Sequence, residues 1–217
     1  MNHSAALQNK LLHILCIRIH QRSCLSALLV LFFSVNIYAQ QTDCCLAWVE
    51  QVGGTDQDIS NAIAVDASGF VYTTGYFRGT ANFGNLTLTT GNNRDIYVTK
   101  QSAAGNFVWA TKLGSVSDGE GRGIAVAPSG NVYVTGYYNP TGIGQPDAFV
   151  AQLDANGVLI WRTPIVSNFI DWGNGIALDA SENVYSTGFF SNTAALGTFS
   201  ITSAGGLDVY LTKVSSS

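Results

Sequence analysis

Five carboxylates stand just ahead of three near-identical segments of this 217-residue chain, and their type and spacing could do chemistry. Asp56 and Asp58 precede Ala62-Ile-Ala-Val-Asp-Ala-Ser-Gly-Phe-Val-Tyr-Thr-Thr-Gly-Tyr76. Asp118 and Glu120 precede Gly123-Ile-Ala-Val-Ala-Pro-Ser-Gly-Asn-Val-Tyr-Val-Thr-Gly-Tyr137, and Asp171 precedes Gly175-Ile-Ala-Leu-Asp-Ala-Ser-Glu-Asn-Val-Tyr-Ser-Thr-Gly-Phe189. Paired carboxylates can hydrolyse a glycosidic bond. A ring of carboxylate and carbonyl oxygens can hold Ca²⁺. The plainer alternative is that these acids cap loops by accepting backbone N–H groups. Asp58 and Asp171 hold the same repeat position, and Trp172 is the aromatic best placed to touch a ligand, with burial in the fold as its alternative. Asp56-Gln-Asp-Ile-Ser60 opens like a calcium loop, but Ala67 stands where the closing Glu is needed.

Other chemistries are closed by composition. All three histidines (His3, His13, His20) lie in the first 20 residues, ahead of the repeats. A Ser-His-Asp or Cys-His nucleophile therefore has no base in the repeat region, and a His-ligated zinc site has no ligand. Past the basic residues Lys10, Arg18 and Arg22, seven basic residues face fourteen acidic ones, which leaves no electrostatic footprint for nucleic acid. Gly119-Glu-Gly-Arg-Gly123 resembles a phosphate loop only superficially. It precedes a strand pattern, lacks the strand–helix setting, and is expected to be a flexible connection between repeats.

The elements that must position these acids are strands. Each long segment reads as a hairpin: a short apolar strand A, a tight turn around Ala-Ser-Gly or its variant, and a β-branched and aromatic strand B. A second hairpin follows. Asp95-Ile-Tyr-Val-Thr-Lys100 and Phe107-Val-Trp-Ala-Thr-Lys112 are strands C and D around a Gly-containing turn, echoed by Asp147–Gln152 and Val158–Arg162. Trp48, Trp109 and Trp161 are 61 and 52 residues apart, as are Gly75, Gly136 and Gly188. The difference lies in the B–C loop, long in Tyr76–Asp95 and Phe189–Asp208 and short in Tyr137–Asp147. Four short antiparallel strands per tandem repeat predict an all-β fold of β-propeller blades, about three of them. The tryptophans are expected to pack between neighbouring blades. Asp66 and Asp179 are expected to accept backbone N–H groups in their turns, and Glu182, where Gly69 and Gly130 stand, implies a different or strained turn.

Both ends carry expectations. The fold begins at a D strand, Leu46-Ala-Trp-Val49, and ends on a C strand, Asp208–Lys213, so each lacks its pairing partner. Pairing them would remove two open edges. Three blades fall short of the four to eight usual for propellers, so the chain reads as part of a larger or incomplete propeller, with self-association or an open arc as alternatives. Residues 1–39 read as a signal peptide: a basic opening, an apolar run from Leu25 and a small residue at Ala39. Residues 40–44 form a linker, residues 45–217 the repeat domain, and no membrane span is expected after cleavage. Cys44 and Cys45 are adjacent and close only a strained ring.

The pattern Gly-Ile-Ala-Val-x-x-Ser-Gly-Asn-Val-Tyr-Val-Thr-Gly-Tyr, followed by Asp147-Ala-Phe-Val-Ala-Gln-Leu-Asp-Ala-Asn-Gly157 and Trp161, resembles the SBBP (seven-bladed beta-propeller) repeat of secreted bacterial proteins and the related NHL-type repeats. The resemblance covers about residues 45–217 and implies a secreted or cell-surface protein. It brings no shared catalytic motif. The expected function is a non-enzymatic module that binds an extracellular protein or glycan, with Asp58, Asp118, Glu120, Asp171 and Trp172 as candidate ligand-binding residues and no cofactor beyond a Ca²⁺ option. The alternatives are a carboxylate-based glycosidase or lyase and a Ca²⁺-binding structural segment of a larger surface protein.

Overall fold

The computed structural model describes residues 46–115, 117–167 and 169–215. The expected leader, the 40–44 linker and the cysteines lie outside them. The described residues form fourteen strands and no helix. Two four-stranded antiparallel sheets and one three-stranded sheet carry the three repeats. Blade 1 contains β2 (Ile59–Val65), β3 (Val71–Phe77), β6 (Asp95–Gln101) and β7 (Phe107–Lys112). Blade 2 contains β8 (Gly119–Val126), β9 (Val132–Tyr138), β10 (Asp147–Leu153) and β11 (Leu159–Ile165). Blade 3 has three strands, β12 (Trp172–Leu178), β13 (Val184–Leu196) and β14 (Phe199–Val214).

The apolar alternation of each strand sends one set of side chains to the preceding blade and the other to the following one. Tyr72, Ile96 and Val98 of blade 1 meet Ile124, Phe149 and Leu153 of blade 2 in one core cluster. Tyr133 and Val150 of blade 2 meet Val184, Ile176 and Val214 of blade 3 in another. A small sheet buries too little by itself, so these between-blade layers supply the cohesion. Trp109 and Trp161 sit there as expected, whereas Trp48 stays exposed. The Trp109 indole N–H donates to the carbonyl of Ala155 in the next blade's C–D turn at 3.0 Å, and Trp48 does the same to Ala103 at 3.1 Å.

The long B–C loops are ordered hairpins. In blade 1 the hairpin is β4 (Thr80–Phe83) and β5 (Leu86–Thr89), joined at its edge by β1 (Gly53–Gly54). In blade 3 the same insertion extends β13 and β14, pairing Thr193–Leu196 with Thr202–Phe199. Two expectations need correction. Leu46–Val49 is not a strand: among the described residues no C strand lies beside it to form a ladder, and it is exposed, with Trp48 bonded to Ala103. Gly119–Gly123 is not a flexible connection but the start of β8, paired with Tyr138–Thr135. The A strands begin earlier than the apolar pattern alone indicates because each absorbs one extra residue, Asn61, Arg122 or Asn174, as a β-bulge.

Candidate functional site

The three bulges create the site. A bulged residue escapes strict in-and-out alternation, and here Asn61 and Arg122 each reach toward the A strand of the following blade. Asn61 donates from Nδ2 to Glu120 Oε1 at 3.0 Å and to the Gly121 carbonyl at 2.9 Å. Arg122 donates from Nε to Asn174 Oδ1 at 3.1 Å. The bulge also presses the carbonyl before it onto the paired strand. A Cβ on Gly75, Gly136 or Gly188 would lie 1.8, 2.0 or 1.9 Å from the carbonyl oxygen of Ile59, Glu120 or Trp172, which explains the glycine in each Thr-Gly-aromatic motif.

Glu120 is the hub. Its carboxylate is buried and receives Asn61, Arg94 Nη1 at 3.3 Å, Arg122 Nη1 at 3.1 Å and the Tyr137 hydroxyl at 2.9 Å. Arg94 also clamps Asp118, with Nε to Oδ1 and Nη2 to Oδ2 both at 2.6 Å. This planar fork matches a carboxylate edge-on, and its bond to Asp118 holds the guanidinium firmly charged. Burial, then the Glu120 and Asp118 charges, push the Tyr137 phenol far above its ordinary range, so it stays a donor. Arg94 also lies over the Tyr76 and Tyr137 rings at 5.0 and 5.8 Å.

Trp172 completes the cluster from blade 3. Its ring stacks on Tyr137 at 4.8 Å and 17°, and the Arg122 guanidinium lies 4.8 Å from its centre. The structure therefore unites three of the five residues singled out by sequence: Asp118, Glu120 and Trp172. Arg122 and Asn174 carry the exposed margin of this cluster.

Asp58 and Asp171 go elsewhere and do one job twice. Asp58 Oδ1 accepts the Arg78 N–H at 3.3 Å, and Asp171 Oδ1 accepts the Ser191 N–H at 3.3 Å, each binding the end of its own strand B. At the matching place in blade 2, where Gly119 has no carboxylate, the Asn139 N–H finds the Asp118 carbonyl at 2.8 Å. Asp58 additionally accepts the Gly54 N–H at 2.6 Å. Asp171 is wholly buried near Asp147, whose carboxyl is raised to about 6 by burial and then by the Asp171 charge. Burial likewise raises Asp171.

The ring of oxygen ligands considered for Ca²⁺ does not assemble from these residues. Asp118 and Glu120 face two guanidinium groups, while Asp58 and Asp171 serve separate blades. Among the described residues no three His, Cys, Asp or Glu side chains are placed to share a metal. Arg94, Arg122, Asn61, Asn174 and Tyr137 escaped the sequence reading. The available signal was the shared repeat position of Asn61, Arg122 and Asn174, three polar side chains inside otherwise apolar A strands.

Comparison with known proteins agrees with this architecture. A stretch of 115 residues is 25% identical to an uncharacterized WD repeat-containing protein of Acanthamoeba polyphaga mimivirus, covering 41% of this chain and 8% of the relative's own length. The chain thus spans under a tenth of that relative. Residues 47–76, from the first tryptophan through strand B of blade 1, match the family model described as the SBBP beta-propeller repeat. The repeat that opens this fold is therefore an SBBP beta-propeller repeat.

Proposed function

We propose that the chain is a secreted, non-enzymatic binding module whose contact surface is the Arg94–Asp118–Arg122–Trp172–Asn174 cluster at the A-strand bulges. The observation that carries this reading is the saturation of Glu120: four donors hold its two oxygens, so it has no free lone pair to act as a general base or nucleophile. Asp118 takes one N–H of the Arg94 fork on each oxygen, which ties its carboxylate to that cation. What remains toward solvent is a planar guanidinium, an amide and an aromatic edge, a combination suited to hydrogen-bonding and stacking on a protein or glycan surface. The repeat family supports a module of this kind. The test is a glycan array and a panel of extracellular proteins probed with the wild type, Arg122→Ala and Asn174→Ala. Binding lost in both variants supports the reading. Turnover of any glycan, abolished by Glu120→Gln or Asp118→Asn, replaces it with the carboxylate-enzyme alternative.

A further inference from the structure

A pair of buried acids lies at the seam between blades 2 and 3, outside the cluster described above. Asp147 opens β10 and Asp171 directly precedes β12. The Asp171 N–H donates to the Pro146 carbonyl at 3.3 Å, which brings the two segments together. Asp171 is 0% exposed and Asp147 9%. Both carboxyls converge on the Ser167 N–H, and the Asp171 charge acts on Asp147.

Blade 1 satisfies the same place differently. Asp95, the counterpart of Asp147, accepts the Ile96 N–H at 2.8 Å, faces the N–H groups of Gly114 and Ser115, and lies near the Lys112 ammonium. At the seam of blades 2 and 3 a cation is lost and an acid gained. Pro164 stands opposite Phe149 where Lys112 stands opposite Tyr97, and Asp171 holds the position of Gly119. Asp171 Oδ1 accepts the Ser191 N–H, but Oδ2 is buried with no donor in hydrogen-bonding geometry. Among the described residues the ion pairs engage Asp118, Glu120 and Asp179, and none reaches this pair.

Buried charges are paired with an opposite charge, neutralised by a proton, or bound to a metal. Two neighbouring carboxylates with an unused oxygen and no facing cation suit a hard ion that prefers oxygen. We propose that Asp147 and Asp171 bind one Ca²⁺ at the blade 2–3 seam, Asp171 through Oδ2, with water completing the shell. The ion tolerates irregular geometry, and a site with only two carboxylates belongs to the weak class, with Kd about 10⁻⁴–10⁻³ M. It ties the opening of strand C in blade 2 to the connection that enters blade 3. The site shares no residue with the Arg94–Asp118–Arg122–Trp172–Asn174 surface and stands independently of what that surface binds.

The experiment is urea denaturation of the full chain at pH 7, in EGTA and in CaCl₂ at matched ionic strength. Calcium at about tenfold its Kd should raise the folding equilibrium constant about tenfold, because only the native state holds the ion. Asp147→Asn and Asp171→Asn should each lose that gain. Asp58→Asn should keep it, since Asp58 holds the Asp171 position in blade 1 but has N–H donors on both oxygens. Asp147→Asn also separates ion binding from a folding defect. In EGTA it should equal or exceed the wild type, because one of two repelling charges is gone; in calcium it should fall below the wild type. No calcium gain in the wild type overturns the inference and leaves a shared proton to neutralise the pair. An equal gain in Asp147→Asn also overturns it, by placing the calcium elsewhere on the chain.

Discussion

Glu182 of blade 3 reaches into the A–B turn of blade 2, where its carboxylate receives the Ser129 N–H at 3.2 Å and the Ser129 hydroxyl at 2.9 Å. That turn is the one whose opening position holds Ala127 in place of aspartate. In the other two, Asp66 and Asp179 each accept two backbone N–H groups at 2.9 Å and a tyrosine hydroxyl from within their own blade. The neighbour thus supplies part of what the local sequence lacks. Glu182 does this from a left-handed backbone, φ 59°, and its turn closes as the glycine turns do, with Glu182 N–H to Asp179 carbonyl at 2.9 Å. The turn is the same; only its occupant is strained.

Glu182→Ala should therefore destabilise the fold by about 1 kcal/mol, since the strain stays while the bonds to Ser129 go. Glu182→Gly should recover about 1 kcal/mol relative to the alanine variant by removing the left-handed penalty. Urea titrations of the three proteins measure both differences. Equal stability of the alanine and glycine variants would contradict the strain.

Gly136→Ala should prevent folding or cost more than about 4 kcal/mol, in the range reserved for severe core defects. Its Cβ would lie 2.0 Å from a backbone oxygen that cannot move without undoing the bulge. Gly175→Ala is the control, because its Cβ meets nothing closer than Thr187 Cγ2 at 3.4 Å. A change within about 1 kcal/mol is expected there, read from thermal melts.

Arg94→Ala removes the fork on Asp118 and one of the two cations on Glu120, and should cost about 1–3 kcal/mol. In a Glu120→Gln background the cost should shrink, because less buried charge is left uncompensated. The double-mutant cycle measures that coupling, and an additive result would show that Glu120 draws no stability from Arg94.

Asp147 links stability to pH in an unusual direction. Its folded carboxyl titrates at about 6, above the ordinary 3.8, so the folded state holds its proton more tightly than the unfolded chain does. Its stabilising share is complete below pH 3.8 and declines as pH rises through about 6. Asp179 opposes this: bonds led by the Asn183 amide hold it at about 2, and its share falls away as pH drops below the unfolded value. Asp147→Asn should gain stability relative to wild type between pH 4 and 7, with little difference at pH 4. Chemical denaturation at the two pH values reads this out, and a constant difference would refute it.

The blades were legible because strand period, turn glycines and tryptophan spacing all repeat. The inserted hairpins were not, since Thr80–Thr89 and Thr193–Thr202 resemble each other only once the loops are aligned, and the middle repeat lacks them. Asp118, Glu120 and Trp172 stood out because acids and aromatics just ahead of the apolar run of strand A are conspicuous, although Glu120 and Trp172 already belong to β8 and β12. Their partners were hidden by distance: Arg94 lies 24 residues from Asp118, in a different blade, and no local pattern announces a contact between blades. Asp58 and Asp171 were correctly matched to each other, but the match reflects a shared strand-end role.

The extra residue in each inner strand has a consequence for how such a molecule can change. Asn61, Arg122 and Asn174 stand outside the alternation that fixes every neighbouring position, so each can be exchanged without turning a core side chain outward. The sheet order would survive while the polar lining beside Trp172 was rewritten, one wedge at a time.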